Sequence, residues 1–398
     1  MGDILFLAHR IPFPPDRGDK IRSFHLLKHL AARHRVHLIA FADEARDLDR
    51  QGGLDPYTAS RAIFWRGKPR WRAAAEAVVR GLPVSLTAFE SRPLAQAVAE
   101  ALQRHPIDTI FVFSGQMAQY LPARPAARVI MDFVDMDSAK FEAYADQARG
   151  ASAMMMQREA RLLFDFERRV ALKADASLFV SAAEAKLFAD RAGCPRIHVV
   201  ENGIDTEKFA PGSACEPIAP AAGPMLVFTG QMDYRPNIEA VGWFAEHILP
   251  LVRQRHPQAR FAIVGRAPTE AVQALARPDE VIVTGEVADV RPWLTAASVV
   301  VAPLKLARGV QNKVLEAMAM ARPLVASSAA AEGIDHGGTI RVGEDAAMIA
   351  DQICALLYDP AAAATLGQSA RRRVIDRYSW AARLSALDPL IEPCKVAA

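Results

Sequence analysis

Cysteine is scarce and unpatterned in this chain. Its four cysteines, Cys194, Cys215, Cys354 and Cys394, show no Cys-x-x-Cys spacing. That fits a reducing compartment better than a disulfide framework or a zinc site. An excess of one charge is missing too: 48 basic residues face 45 acidic ones, for a net charge of +3. So small a balance gives no footprint for nucleic acid, and no nucleic-acid partner is expected. Long hydrophobic runs are absent; no stretch of about 18 apolar residues is available to span a membrane. The N-terminus has no long apolar segment before its first strand, so no signal peptide and a cytoplasmic location are expected. There is no low-complexity tract and no short repeat. What remains is a chain of 398 residues, 51% of them hydrophobic. That is the composition of a soluble globular protein, too long for one ordinary core, so two domains are expected.

Apolar strand-like runs alternate with helical spacing through both halves. In the first half, strands are expected at 4–8, 36–41, 62–64, 108–113, 128–133, 176–180 and 197–200. Helices are expected at 71–80, 93–104 and 152–173. Ser181-Ala182-Ala183-Glu184 has capping-box spacing and should open a helix to about residue 192. Residues 206–224 are rich in Pro, Ala and Gly without periodicity and read as a linker. The rhythm then restarts, with strands at 225–229, 260–264, 281–284, 298–302, 324–327 and 339–342. Pro236 suits the first turn of a helix to about residue 256. Further helices are expected at 269–276, 289–296, 310–321 and 345–358. Strands alternating with helices give parallel sheets covered on both faces, so the fold class is α/β, with two doubly wound domains. The expected division is 1–205, a linker 206–224, 225–375, and a helical tail 376–398 packing back on the first domain.

One stretch carries the clearest chemistry. An apolar run ending at Pro303 is followed by a short basic loop, Arg308, Gly309, and a helix opening near Val310. A glycine permits close approach of backbone to a ligand, and the first helical amides have no intrachain partners. Such a loop after a strand is an anion site. Lys313 stands in the first turn as a point charge for a phosphate. Glu316, three residues on, shares its helix face. The set suits a nucleotide: amides and cation for a diphosphate, carboxylate for ribose hydroxyls. The same residues are also compatible with a solvated surface pair.

Other motifs stand in order around it: Glu201-Asn202-Gly203-Ile204-Asp205, the run from Phe228 through Gly230 to Asn237, Val283-Thr284-Gly285-Glu286, and Lys313-Val314-Leu315-Glu316-Ala317-Met318-Ala319. In this order and spacing the chain resembles a GT-B glycosyltransferase of the large retaining group, family 4 or group 1, over nearly its whole length. The N-terminal His9-Arg10-Ile11-Pro12-Phe13-Pro14-Pro15-Asp16-Arg17-Gly18-Asp19-Lys20 and the stretch Asp132-Phe133-Val134-Asp135-Met136-Asp137 narrow the resemblance. Both resemble sugar transferases of bacterial exopolysaccharide and PEP-CTERM/exosortase loci. The resemblance implies two Rossmann-like domains facing across a cleft. It also implies a nucleoside-diphosphate-sugar donor held by the second domain and a saccharide or lipid-linked oligosaccharide acceptor on the first. No cofactor and no metal are implied. Asp135-Met136-Asp137 spells an Asp-x-Asp pattern, but the fold family does not require one.

The resemblance assigns roles to residues and exposes departures. Glu316 matches the second glutamate of the family's Glu-x7-Glu motif, which binds ribose. The first, which touches the donor sugar, would fall at Arg308; an arginine there is expected either to alter sugar recognition or, with Lys313, to balance the leaving diphosphate, helped by the amides of Gly309 and Val310. The family's basic pair after the first strand of the second domain is absent behind Gly230, leaving Arg235 as substitute or as a plain solvated residue. Gly18 stands where relatives place a glycine against the diphosphate, with Asp19 and Lys20 beside it; a polar turn feeding a helix is the alternative. Asp135 and Asp137 are candidates to orient or deprotonate the acceptor hydroxyl; Asp137 also suits a helix N-cap. His9 and His25 are weaker candidates of the same kind. The basic, tryptophan-bearing segment 61–72 is either a peripheral contact with the inner membrane or a loop whose tryptophans pack on the core. Met154-Met155-Met156 reads as packing, or as an adaptable face for acceptor. Two other functions stay open: a nucleotide-sugar epimerase on the same frame, and a non-catalytic nucleotide-binding assembly partner.

Overall fold

A computed structural model describes residues 2–218, 223–307 and 309–391. The chain forms two compact units, one of residues 1–202 with 383–398, the other of residues 203–382.

The first unit is built on seven parallel strands: β1 (Asp3–Ala8), β2 (Arg35–Ala42), β3 (Ser60–Trp65), β4 (Ile107–Phe113), β5 (Arg128–Val134), β6 (Ala176–Phe179) and β7 (Ile197–Val199). Their order is β3-β2-β1-β4-β5-β6-β7. Every residue of β1 is buried, as expected of a central strand covered on both faces. Leu5, Leu7, Phe41, Val112 and Met131 lie in one apolar cluster beneath the flanking helices. The second unit repeats the plan with β8 (Met225–Thr229), β9 (Arg260–Val264), β10 (Val281–Val283), β11 (Val299–Ala302), β12 (Leu324–Ser327) and β13 (Arg341–Gly343). Their order is β10-β9-β8-β11-β12-β13, again all parallel. In both sheets the order reverses once, between β1 and β4 and between β8 and β11. Beyond such a switch point the loops splay apart and leave a crevice.

All the strands expected from the apolar runs are present, within two residues at each end. The helices depart in instructive ways. Ser181 accepts a hydrogen bond from the Glu184 amide at 3.2 Å and opens helix Ala182–Ala192. Glu184 does not close the capping box: its carboxylate accepts from the Met136 amide instead, at 2.8 Å. The single helix expected after Pro236 is broken into Arg235–Trp243, a π turn Phe244–Ile248 and Leu249–Arg255. Pro250 lacks an N–H and crowds the preceding turn, which the wider π geometry relieves. The helix expected from Val310 begins at Asn312 and runs to Ala319.

The stretch read as a linker is partly structure of the second unit. Arg371 donates to the carbonyls of Thr206 at 3.2 Å and Phe209 at 2.9 Å, and Ile204 bridges to Ser379. Residues 219–222 of that stretch lie outside the described residues. The tail divides as well. Helix Pro360–Tyr378 belongs to the second unit, whereas Asp388 pairs with His29 at 2.8 Å and the Leu390 carbonyl accepts from Arg128 at 2.7 Å in the first.

Candidate functional site

A cavity of about 530 Å³ opens at the switch point of the second sheet. Its walls are the loops that leave β8, β9 and β10 and the start of helix Asn312–Ala319. Two glycines let the first loops close up. A side chain on Gly265, where φ is +152°, would put its Cβ 1.7 Å from the Gly230 carbonyl oxygen. A Cβ on Gly230 would lie 2.8 Å from Asn237 Nδ2 and 3.1 Å from Lys313 Nζ. A side chain there would press on both the amide and the lysine.

Helix Asn312–Ala319 turns Val314, Leu315, Ala317 and Met318 into the core. Lys313 and Glu316, three apart, are therefore left together on the face that lines the cavity. Arg371 holds the helix's far end by donating to the Ala319 carbonyl. The setting of Lys313 is unusual for a cation. Its ammonium donates to Asn237 Oδ1 at 2.6 Å and sits 4.0 Å from the centroid of the Phe228 ring. Asn237 is itself fixed, its Nδ2 donating to the Gln231 carbonyl at 2.8 Å. Both contacts are neutral, and among the described residues no carboxylate pairs with Lys313. Burial pushes Lys313 down to about 7, against the opposing pull of Glu316. Burial likewise pushes Glu316 up to about 7, against Lys208 and Lys313. A partly neutralised cation with no carboxylate in ion-pair contact among the described residues, beside an open cavity, is poised for an anion.

The other expected donor-site residues fall unevenly. Val310 lines the cavity. Gly309 adopts φ +65°, and Gly333 packs so closely that its own Cβ would lie 2.5 Å from the Gly309 oxygen. Because the helix opens two residues late, its free first-turn amides belong to Asn312 and Lys313 rather than to Gly309 and Val310. Arg308 lies outside the described residues. Arg235 is not among the residues lining this cavity: its side chain is 87% exposed and pairs with Glu239 one turn on, at 2.7 Å. Arg266, which sequence reasoning missed, lines the cavity instead and donates to Gln231 Oε1 at 2.9 Å. Asn237, Tyr234 and Glu286 also line it. The signal for Asn237 was its place just after Pro236, at the helix start that faces the strand ends.

In the first unit, Asp135 and Asp137 follow β5. Lys140 donates to both, at 2.8 and 3.1 Å, and Gln116 to Asp137 at 3.3 Å. Asp137 is the first residue of helix Asp137–Gln147 rather than its N-cap, which is Met136. Val134, just before, has φ +69°, a strained conformation for a β-branched residue. A wholly buried Asp132 fixes it, accepting from the Val134 amide at 3.0 Å and from Arg22 Nε at 3.0 Å, with Arg22 Nη2 2.9 Å from the same carboxylate as an ion pair. Gly18 opens helix Gly18–Ala31 with free space around its Cα. Lys20 is unavailable to a ligand: it is buried against Asp47 at 2.6 Å. Burial favours the neutral form of Asp19, but hydrogen bonds from His9 and Arg10 hold its carboxyl well below the usual range. His9 stacks on Phe113 and His25 is buried in its helix.

Residues 21–208 match Glycosyltransferase Family 4, and residues 223–359 match Glycosyl transferases group 1. The chain carries the two domains of a family 4, group 1 glycosyltransferase. Its curated relatives include an alpha-maltose-1-phosphate synthase of Mycobacterium tuberculosis, 29% identical over 216 residues. The match covers 46% of this chain and 54% of the relative. The namesake of Mycolicibacterium smegmatis is 28% identical over 220 residues, covering 47% and 54%. The chain thus spans about half the length of these curated relatives. Two solved structures share the GT-B fold over nearly all of both chains. The sucrose-phosphate synthase of Thermosynechococcus elongatus superposes with TM-score 0.57 at 19% identity, covering 98% of each chain. Anabaena Alr3699/HepE in complex with UDP gives 0.58 at 17%, covering 98% of this chain and 99% of that one.

Proposed function

We propose that this protein is a retaining glycosyltransferase that uses a nucleoside-diphosphate sugar, with the acceptor a saccharide, lipid-linked, in bacterial exopolysaccharide assembly. The observation that carries the proposal is the Lys313 ammonium, held by Asn237 and an aromatic face with no carboxylate in ion-pair contact among the described residues, and with Glu316 one turn deeper. Lys313 takes the diphosphate, with Arg308 beside it in sequence; Glu316 accepts from the ribose hydroxyls. The bond between the sugar's anomeric carbon and the diphosphate breaks, and the diphosphate leaves with the electron pair. Charge stabilisation of that leaving group is the main catalytic task. The acceptor hydroxyl bonds to the anomeric carbon from the face the diphosphate vacates and gives up its proton to the departing phosphate. Asp135 and Asp137 are the acceptor-side carboxylates, and Lys140 sets their positions.

The UDP complex of Anabaena Alr3699/HepE makes UDP-sugars the first donors to try. Relatives named as sugar-phosphate synthases add saccharide phosphates to the acceptors worth trying. The placement among PEP-CTERM-associated transferases rests on the two N-terminal motifs. The test is incubation with labelled donors, with and without lipid-linked and phosphorylated saccharides. Transfer with the donor's anomeric configuration kept is the expected result. Conversion of the donor to its isomer without acceptor, or no turnover of any donor, would contradict it.

A further inference from the structure

We infer that the first unit docks on an anionic lipid surface through the outer face of helix Arg70–Arg80. An ordinary surface helix buries its large apolar residues and exposes its polar ones. This helix does the reverse. Ala73 and Ala77 face the core, whereas Trp71 is 74% exposed, Val78 66% and Val79 86%. Positions 71, 78 and 79 fall on one helical face. Trp65, at the end of edge strand β3, is 54% exposed. Both tryptophans are thus turned to solvent, not packed on the core. Met154 and Met155 continue the apolar set, 72% and 59% exposed. They lie one turn before Arg158, which donates to the carbonyls of Ala77 at 2.9 Å and Leu82 at 3.2 Å and so sets that turn beside the helix's end.

The charge around this face selects the occupant. Residues 61–80 hold Arg61, Arg66, Lys68, Arg70, Arg72 and Arg80 against one carboxylate, Glu76. Lys68 and Arg72 both pair with Glu76, and Asp43, Asp55 and Glu90 come in from neighbouring segments to pair with Arg66, Arg61 and Arg80. Six bases against these four carboxylates leave the rim a net charge of +2. Tryptophans and methionines inside a basic rim suit the boundary of a bilayer rich in anionic headgroups. The helix is too short to cross a membrane, and no helix among the described residues is long and apolar enough to do so. It lies in the plane of the surface. The inference deepens the lipid-linked part of the proposed function and rests on it only for the benefit gained: enzyme and acceptor meet in two dimensions.

The test is sedimentation of the full chain with vesicles of phosphatidylcholine alone, or with about one third phosphatidylglycerol, without nucleotide. Expected is binding to the anionic vesicles that weakens with salt and falls roughly tenfold or more in the W71E/V79E double variant. Circular dichroism and melting temperature should be unchanged, since both side chains are exposed. Donor hydrolysis in solution should also be unchanged, so that loss of docking and failure of the transferase reading are read separately. Equal binding to neutral vesicles, no vesicle binding, or undiminished binding by W71E/V79E would overturn the inference; the last two would leave the face to a protein partner.

Discussion

Replacing Lys313 by methionine keeps an apolar stem of similar length and removes the charge. The free protein holds Lys313 at about 7 instead of 10.5, and Glu316 at about 7 instead of 4.5. At pH 8, about nine-tenths of Lys313 is then uncharged and about nine-tenths of Glu316 ionised. A diphosphate beside Lys313 restores its charge and draws in just under one proton. Ribose hydroxyls donating to Glu316 favour its ionised form and release about a tenth of one. Net uptake is about 0.8 proton per nucleotide sugar bound at pH 8, and by the same reckoning net release is about 0.8 at pH 6. The diphosphate of a nucleotide sugar does not itself titrate in this range, so the sign change near neutrality reports on the protein. Calorimetry in buffers of different ionisation enthalpy measures it. Lys313→Met should abolish the uptake at pH 8 and weaken binding roughly 10- to 100-fold, the worth of a charge-assisted hydrogen bond. Uptake that persists in the variant, or affinity that does not change, would refute the reasoning.

Further outcomes follow from the same geometry. The wild-type protein should gain stability as pH rises from about 7 to 10.5, because its folded form binds fewer protons at Lys313 than the unfolded chain does. Lys313→Met should lose that slope and, at pH 8 without ligand, be more stable by up to roughly 3 kcal/mol in chemical denaturation. Gly265→Ala drives a Cβ to 1.7 Å from the Gly230 oxygen at φ +152°; a loss of roughly 3 kcal/mol is expected, with donor binding abolished. Arg22→Leu leaves the buried Asp132 without its cation and should cost about 3–5 kcal/mol, read as a fall in denaturation midpoint. Asp135→Asn should lower the transfer rate with donor affinity unchanged, measured by comparing transfer with nucleotide binding.

The architecture was legible because buried parallel strands announce themselves as short apolar runs, as in β1, β4, β8 and β11; β7 (Ile197-His198-Val199) and β13 (Arg341-Val342-Gly343) at the sheet edges carry a weaker signal. Lys313 and Glu316 were legible because spacing of three on a helix forces a shared face. What surrounds them was not, since contacts across loops carry no local signal. That Lys313 leans on Asn237, 76 residues away in sequence, needs the fold. Arg235 and Lys20 show the converse. Each is a basic residue at a promising place in a motif, but one pairs with Glu239 at the surface and the other is neutralised by buried Asp47. For Trp65 and Trp71 the sequence left two readings open, a peripheral contact or packing on the core. Only the inward alanines and the exposed tryptophans show that this face is turned outward.

The central claim is that the cavity over the second sheet binds a nucleotide sugar through Lys313 and Glu316. Equilibrium binding of UDP-, GDP-, ADP- and dTDP-sugars to the wild-type chain and to Glu316→Ala tests it most directly. One donor class should bind the wild-type chain, with affinity falling roughly tenfold or more in Glu316→Ala at an unchanged fold, the effect of losing a charged hydrogen-bond acceptor. Equal affinity of the two proteins, or no binding by either, would contradict it.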